Sequence, residues 1–299
     1  MRKTVLVVGS MASAVLLACA AAALTAAPGV GKTKTATLVG AGDISGCDFG
    51  ADGATARLLG ETRETVFTLG DNAYPDGTRA QFRDCYDRTW GKYKKRTKPA
   101  AGNHEYNSPG AKPYFNYFGK RAGKPGKGYY SYERGSWHVV ALNSNCEEVG
   151  GCGASSRQAD WLRRNLRKHR AGCTLAYFHH PLYASGRSYD SPDRVRRFWS
   201  ILHKRGADVI LSGHAHRYER FAPMTPGGKR SDRGIRQFIV GTGGARGGAQ
   251  EGPDDANVQA KNPRTPGVLK LRLGPGRYRW RFLPVAGRKV TDSGRDWCH

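Results

Sequence analysis

The sequence predicts an α+β or α/β domain, a four-layer αββα sandwich with two central mixed sheets. Three observations carry this. Short β-branched and apolar runs alternate with helix-compatible segments early in the chain, strand pairs dominate late, and the strands lead into Gly-containing polar turns. That mixture fits two packed sheets with helices outside better than a plain doubly wound sheet. With 299 residues, 38% hydrophobic and 24% charged, the chain can bury a sizeable core in one domain. Its 40 glycines follow no fixed period, which excludes collagen and solenoid folds.

Residues 1–27 read as a signal peptide. Arg2 and Lys3 precede an apolar, Ala-rich stretch, and small residues near position 27 suit cleavage. A membrane anchor and lipidation at Cys19 are the alternatives, and no other segment is apolar enough to span a bilayer. Residues 28–35 read as a linker and 36–299 as a single domain. Residues 36–39 form the first expected strand and 52–61 a helix. The β-branched run at 65–69 is a buried strand, followed by a polar helix near 79–87 and a basic loop. A Gly-, Pro- and Tyr-rich loop then leads to a strand at 137–142. Ser155 or Ser156 caps a helix whose Ala159, Leu162 and Leu166 recur at helical spacing, with Gly172 as its stop. Strands at 174–178, 207–211 and 237–240, a helix at 192–204, and a hairpin over 268–285 turning at Gly274-Pro275-Gly276 complete the chain.

Setting Cys19 aside leaves six cysteines, an even number that suggests disulfides in an exported chain. Cys146 and Cys152 are close enough for a small loop bridge, Cys47 with Cys85 is a reasonable second pair, and Cys173 with Cys298 remains by elimination; the connectivity stays open. The formal charge of +25 would attract polyanions or phosphorylated substrates. No nucleic-acid motif accompanies it and the basic residues are not interleaved with aromatics, so no dedicated nucleic-acid binding is expected.

The strand ends deliver Asp43, Asp71 with Tyr74, Asn103 with His104, His179, and His214 with His216. Ordinary turns explain any one of these; five behind successive strands are harder to dismiss. Mixed oxygen and nitrogen donors of this kind suit iron, zinc or manganese, and there are too many for one ion. Two ions need a bridging ligand, for which a carboxylate is the natural choice.

Gly42-Asp43, Gly70-Asp71-Asn72-Ala73-Tyr74, Gly102-Asn103-His104-Glu105, His179-x-Pro181 and Gly213-His214-Ala215-His216 resemble, in order, the signature of calcineurin-like metallophosphoesterases. Tyr74 and the extension through Arg217-Tyr218-Glu219-Arg220 look like the purple acid phosphatase branch, of a small single-domain type, and the resemblance spans about residues 36–285. Many members of the broader family carry a metal-binding His two residues after the first Asp; here Ser45 stands there, and Tyr74 is the available substitute.

The resemblance implies one metal at Asp43, Asp71, Tyr74 and His216. A second would sit at Asp71, Asn103, His179 and His214, with Asp71 bridging and the metal loops at strand C-terminal ends. A phenolate ligand favours Fe(III) at the first site, and Zn, Mn or Fe suits the second. His104 is expected as a catalytic residue facing the phosphate, with Glu105 orienting it, and His180 as loop packing. Arg187, Tyr189 and Arg194 are the polar residues where plant-type relatives place further substrate-contacting histidines. The implied activity is that of a secreted or cell-envelope phosphatase using metal-activated hydroxide on small-molecule phosphate monoesters. A phosphodiesterase or nucleotidase on the same centre, and a catalytically idle polyanion-binding surface protein, are the alternatives. No transmembrane segment is expected in the mature form, and the oligomeric state is left open.

Overall fold

The structure, a computed structural model, describes residues 1, 3–6, 35–48, 50–60, 64–169, 171–186, 193–245, 253–288 and 292–299. Most of the expected leader, including Cys19, most of the linker, Arg187 and Tyr189 lie outside the described residues. The chain divides into two compact units, Met1–Lys32 and Thr33–His299, and every element below belongs to the second.

In order these are β1 (Ala36–Ala41), α1 (Asp52–Leu58), β2 (Thr65–Leu69), α2 (Arg79–Asp84), β3 (Thr97–Ala100), α3 (Asn103–Tyr106), α4 (Lys112–Phe118), β4 (Tyr130–Arg134), β5 (Trp137–Ala141) and α5 (Arg157–Lys168). There follow β6 (Cys173–Tyr177), α6 (Asp193–Lys204), β7 (Val209–Ser212), β8 (Tyr218–Phe221), β9 (Arg236–Val240), β10 (Val258–Asn262), β11 (Gly267–Gly274), β12 (Arg277–Pro284) and β13 (Ser293–Trp297). One sheet has the order β13-β12-β11-β1-β2-β3 and the other β10-β8-β9-β7-β6-β5-β4. Both are mixed: β1, β2 and β3 run parallel, as do β5, β6, β7 and β9, while the remaining neighbours pair antiparallel.

Strand alternation sorts the core. Val139, Ala141, Leu175, Leu211 and Val240 face the first sheet and share a cluster with Leu38, Phe67, Leu271 and Phe282. Their neighbours Val140, Ala176, Ile210 and Ile239 face outward onto Leu162, Val195, Phe198 and Leu202 of α5 and α6. Aromatic pairs close the gap between the sheets: Trp137 against Tyr278, Phe238 against Trp280, and Tyr218 against Phe282 at 4.5 Å between ring centres. The two-sheet sandwich expected from strand order is the architecture found.

The segment expected as one long loop before β5 holds α4 and β4. Tyr114, Phe115 and Phe118 of α4 form an apolar face that packs against Phe82 of α2, and the Gly and Pro content around it masked that periodicity. The polar helix near 79–87 is α2 followed by a 3-10 turn, because Thr78 and Gln81 box its start and the chain tightens at Cys85. Ser156, not Ser155, caps α5, its Oγ accepting from the Ala159 N–H at 3.2 Å. Cys47–Cys85, Cys146–Cys152 and Cys173–Cys298 are disulfide-bonded. Among the described residues, no helix is long and apolar enough to cross a membrane.

Candidate metal centre

The loops leaving β1 and β2 extend their parallel pairing past the strand ends. The N–H groups of Asp43, Ile44 and Ser45 donate to the carbonyls of Gly70, Asp71 and Asn72, and Tyr74 N–H returns to Ser45 at 2.7 Å. Two loops so laddered hold their carboxylates in fixed register. Asp43 (φ 58°), Asp71 (φ 49°) and His214 (φ 66°) adopt the left-handed conformation, which is costly for residues with a Cβ; among the described residues only Ala111 joins them. Strain of this kind persists where tertiary contacts dictate it. Glycine is required beside them: a Cβ on Gly102 would stand 2.1 Å from Asp71 Oδ1, and one on Gly213 2.6 Å from Asp43 Oδ2.

The side chains converge. The Tyr74 hydroxyl lies 3.1 Å from Asp43 Oδ1, 3.1 Å from Asp71 Oδ2 and 3.0 Å from His216 Nε2. His179 Nδ1 meets the Leu69 carbonyl at 2.7 Å, which points Nε2 at Asp71 Oδ2 (3.2 Å), Asn103 Oδ1 (2.9 Å) and His214 Nδ1 (3.1 Å). His216 Nε2 is 3.4 Å from Asp43 Oδ1, and the other Asp43 oxygen accepts the His214 N–H at 2.8 Å. All seven residues expected as ligands are therefore gathered in one place. Ser45 turns away: its hydroxyl donates to Asp52 Oδ2 at 2.6 Å, toward α1.

His104 borders this group, Nε2 lying 3.9 Å from Asp71 Oδ2, while its Nδ1 is held by the Pro75 carbonyl at 2.5 Å. Its ring sits 4.3 Å from that of Tyr74. Glu105 does not orient His104, contrary to expectation. It is fully buried, and its two oxygens accept the N–H groups of Asp71 (3.0 Å), Asn72 (2.7 Å), Ala73 (3.3 Å) and Gly102 (2.7 Å). It also accepts from Asn72 Nδ2 at 3.3 Å, so it acts as the peg on which the Asp71 loop hangs, and the strand-end pattern carried no sign of it because most of its partners are backbone groups. His180 is buried and packs among the loops of this group. Ser144 Oγ bonds its Nδ1 at 2.8 Å, and its ring stands 4.6 Å from that of His214.

Electrostatics favour a cation here. Burial disfavours the Asp71 carboxylate, but the charges of His179 and His104 more than offset this and hold it well below the usual range. Burial also pulls on His179, yet Asp71 and Asp43 push it up to about 9. His214 is lowered to about 4 by burial and by His179. Burial, then Asp43 and Asp71, push the Tyr74 phenol far up; one phenol proton faces two carboxylates and an imidazole. The donor set of two carboxylates, a phenol, an amide and three imidazoles fits a pair of cations, which would relieve the repulsion around Tyr74. A cavity of about 540 Å³ opens on the His216 side, lined in part by Thr242, Arg264, Thr265 and Arg288, and a smaller one of about 170 Å³ opens beside Asn103 and Arg194.

The calcineurin-like phosphoesterase family matches residues 37–218. Purple acid phosphatase 21 of Arabidopsis thaliana is 27% identical over 264 residues, covering 80% of this chain and 56% of that protein. The structure of purple acid phosphatase PPD1 from yellow lupin (Lupinus luteus) seeds has a TM-score of 0.72 at 18% identity, covering 88% of this chain and 54% of that one. GAP50, the anchor in the inner membrane complex of Plasmodium, has a TM-score of 0.68 at 13% identity, covering 89% of each chain. The chain thus spans about half the length of the plant phosphatases it matches. The structural likeness is one of fold, two mixed sheets with flanking helices, and a fold alone does not carry an activity.

Proposed function

The chain belongs to the calcineurin-like phosphoesterase family, and we propose that it is an exported two-metal phosphatase acting on phosphate monoesters. The observation that carries this reading is the Tyr74 hydroxyl, within 3.1 Å of Asp43, Asp71 and His216 while Ser45 faces away. Asp43, Asp71, Tyr74 and His216 would hold one ion, with iron(III) favoured by the phenol. Asp71, Asn103, His179 and His214 would hold the other, with zinc, manganese or iron, and Asp71 belongs to both. When bound, the cations supply positive charge that neutralises phosphate oxygens and acidifies the attacking water.

The protein's own contribution is placement. Glu105 fixes the Asp71 loop through backbone N–H bonds, and the Leu69 carbonyl fixes the His179 ring. The Pro75 carbonyl takes the Nδ1–H of His104, so that in the imidazolium form Nε2–H faces the site as the donor to a leaving oxygen. Three disulfides support an oxidising compartment and, with the basic, apolar start of the chain, a role for residues 1–27 in export. Residues 36–299 would form the single catalytic domain.

Turnover of an aryl phosphate monoester and the matching diester by metal-reconstituted protein tests the proposal. The monoester should be the better substrate. Faster diester cleavage would make the protein a phosphodiesterase or nucleotidase, and hydrolysis of neither would leave a non-catalytic surface protein.

A further inference from the structure

Away from the metal loops, β11, β12 and β13 form one end of the first sheet. Their inward residues Leu269, Leu271, Leu273, Tyr278, Trp280 and Phe282 belong to the core. The outward residues fall into three cross-strand rows: Lys270, Arg281 and Ser293; then Arg272, Arg279 and Arg295; then Arg277 beside Trp297. All five arginines and Trp297 are exposed. Like charges set directly opposite one another across a sheet destabilise it, yet Arg272, Arg279 and Arg295 stand in one line. Val268, Gly274 and Leu283 share this strand parity, which makes eleven positions in all. Lys and Arg make up 49 of 299 residues, so about two of the eleven would be basic by chance, and six are.

The acids nearby do not answer them. Asp292 pairs with Arg220 and Asp296 with Arg236, both at 2.8 Å. Among the described residues only Lys270 of this group makes an ion pair, with Glu64 at 2.6 Å. Charges that merely protect a sheet edge from pairing belong on the edge strand, and β13 carries one of the six. The other five stand on β11 and β12, which are flanked on both sides.

We propose that this face docks a linear polyphosphodiester that carries no bases. Neighbouring strands and alternate residues space the cations at roughly 5–7 Å, and guanidinium groups match phosphate oxygens in two-point contacts. The face is an open trough of about 730 Å³ running over Lys270, Arg272, Arg279, Arg281 and Arg295, with Trp280 and Leu283 also in its lining, which suits a chain better than the plane of a membrane. Among the described residues it has no row of exposed aromatic rings on which bases would stack; Trp297, under Arg277 at one corner, is exposed, and Trp280 in the lining is buried. None of these residues is assigned to the metal centre, so the docking role stands or falls apart from the phosphatase reading.

The test is binding of the full chain to synthetic poly(glycerol phosphate), with a single-stranded DNA oligonucleotide and anionic phospholipid vesicles as comparison ligands. Binding to poly(glycerol phosphate) should be the tightest of the three and should weaken on the order of a hundredfold between about 50 and about 200 mM salt. Arg279→Glu/Arg281→Glu should lower affinity about tenfold or more at the lower salt, whereas Arg164→Glu/Arg167→Glu, the same charge change on α5, should leave most of it. Arg272→Gln/Arg295→Gln, which reverses no charge, should show an intermediate loss with an unchanged melting temperature. Equal loss in the β12 and α5 variants, no loss in either, or tighter binding to DNA or vesicles would each overturn the proposal.

Discussion

The Asp71 cradle and the cluster of Glu133, His138 and His169 draw on the same residue types, and in both the nitrogens and carboxylate oxygens come within 4.8 Å of one another. The arrangement differs. His138 and His169 lie face to face, 4.6 Å apart and 7° from parallel, so their in-plane lone pairs cannot meet at one point. His138 places one nitrogen on Glu133 and the other on Asn165, both at 2.7 Å, and the backbone there is relaxed. In the cradle, the rings of His179 and His214 are steeply inclined, at 74°, and the Tyr74 hydroxyl meets two carboxylates and an imidazole at once. Asp43, Asp71 and His214 hold left-handed backbone to keep it so. Convergence and local strain, more than the tally of histidines, separate a place built for cations from a packed hydrogen-bonded cluster.

Substitutions should sharpen that contrast. The largest effect is expected from Asp71→Asn, which removes the carboxylate shared by both proposed sites: hydrolysis of an aryl phosphate should fall by at least about a thousandfold. His138→Gln should leave metal content and turnover as they are and cost about 1–3 kcal/mol in chemical denaturation. Next comes His104→Ala, expected to keep its metals and lose roughly a hundredfold or more in kcat; loss of metal in that variant would make His104 a ligand.

Tyr74→Phe should abolish the visible absorbance of an iron(III)–phenolate centre and lower turnover about 10–100-fold. A wild-type protein that is colourless but active would reject iron(III) at that site. The smallest change in chemistry is Glu105→Gln, which keeps the shape but puts an N–H₂ group against N–H donors. It should destabilise the fold by about 1–3 kcal/mol and weaken metal affinity about tenfold. An effect on kcat alone, with metal affinity intact, would return Glu105 to a role on His104.

The gathering of side chains was legible because the proposed ligands come in groups just past apolar runs at strand ends, with Asp43, Asp71, Asn103 and His214 each directly after a glycine. The two-sheet order was legible for a similar reason: runs such as Thr65–Leu69 and Cys173–Tyr177 are buried on both faces and read as continuous apolar strands. Glu105 was misread because four of its five hydrogen-bond partners are backbone N–H groups, which leave no trace in residue spacing. The helix α4 was hidden because glycines and prolines surround its aromatic face. The basic rows of β11 to β13 were equally hidden, since the charges look scattered along the chain and line up only when the strands pair in register.

The central claim is that Asp71 joins two cations in one site, and metal stoichiometry measured alongside aryl phosphate turnover on the same reconstituted preparations tests it most directly. The account predicts two ions per wild-type chain, both weakened together in Asp71→Asn, with activity following occupancy. Full turnover with one ion or none, or an Asp71→Asn protein that keeps both ions and its activity, would contradict it.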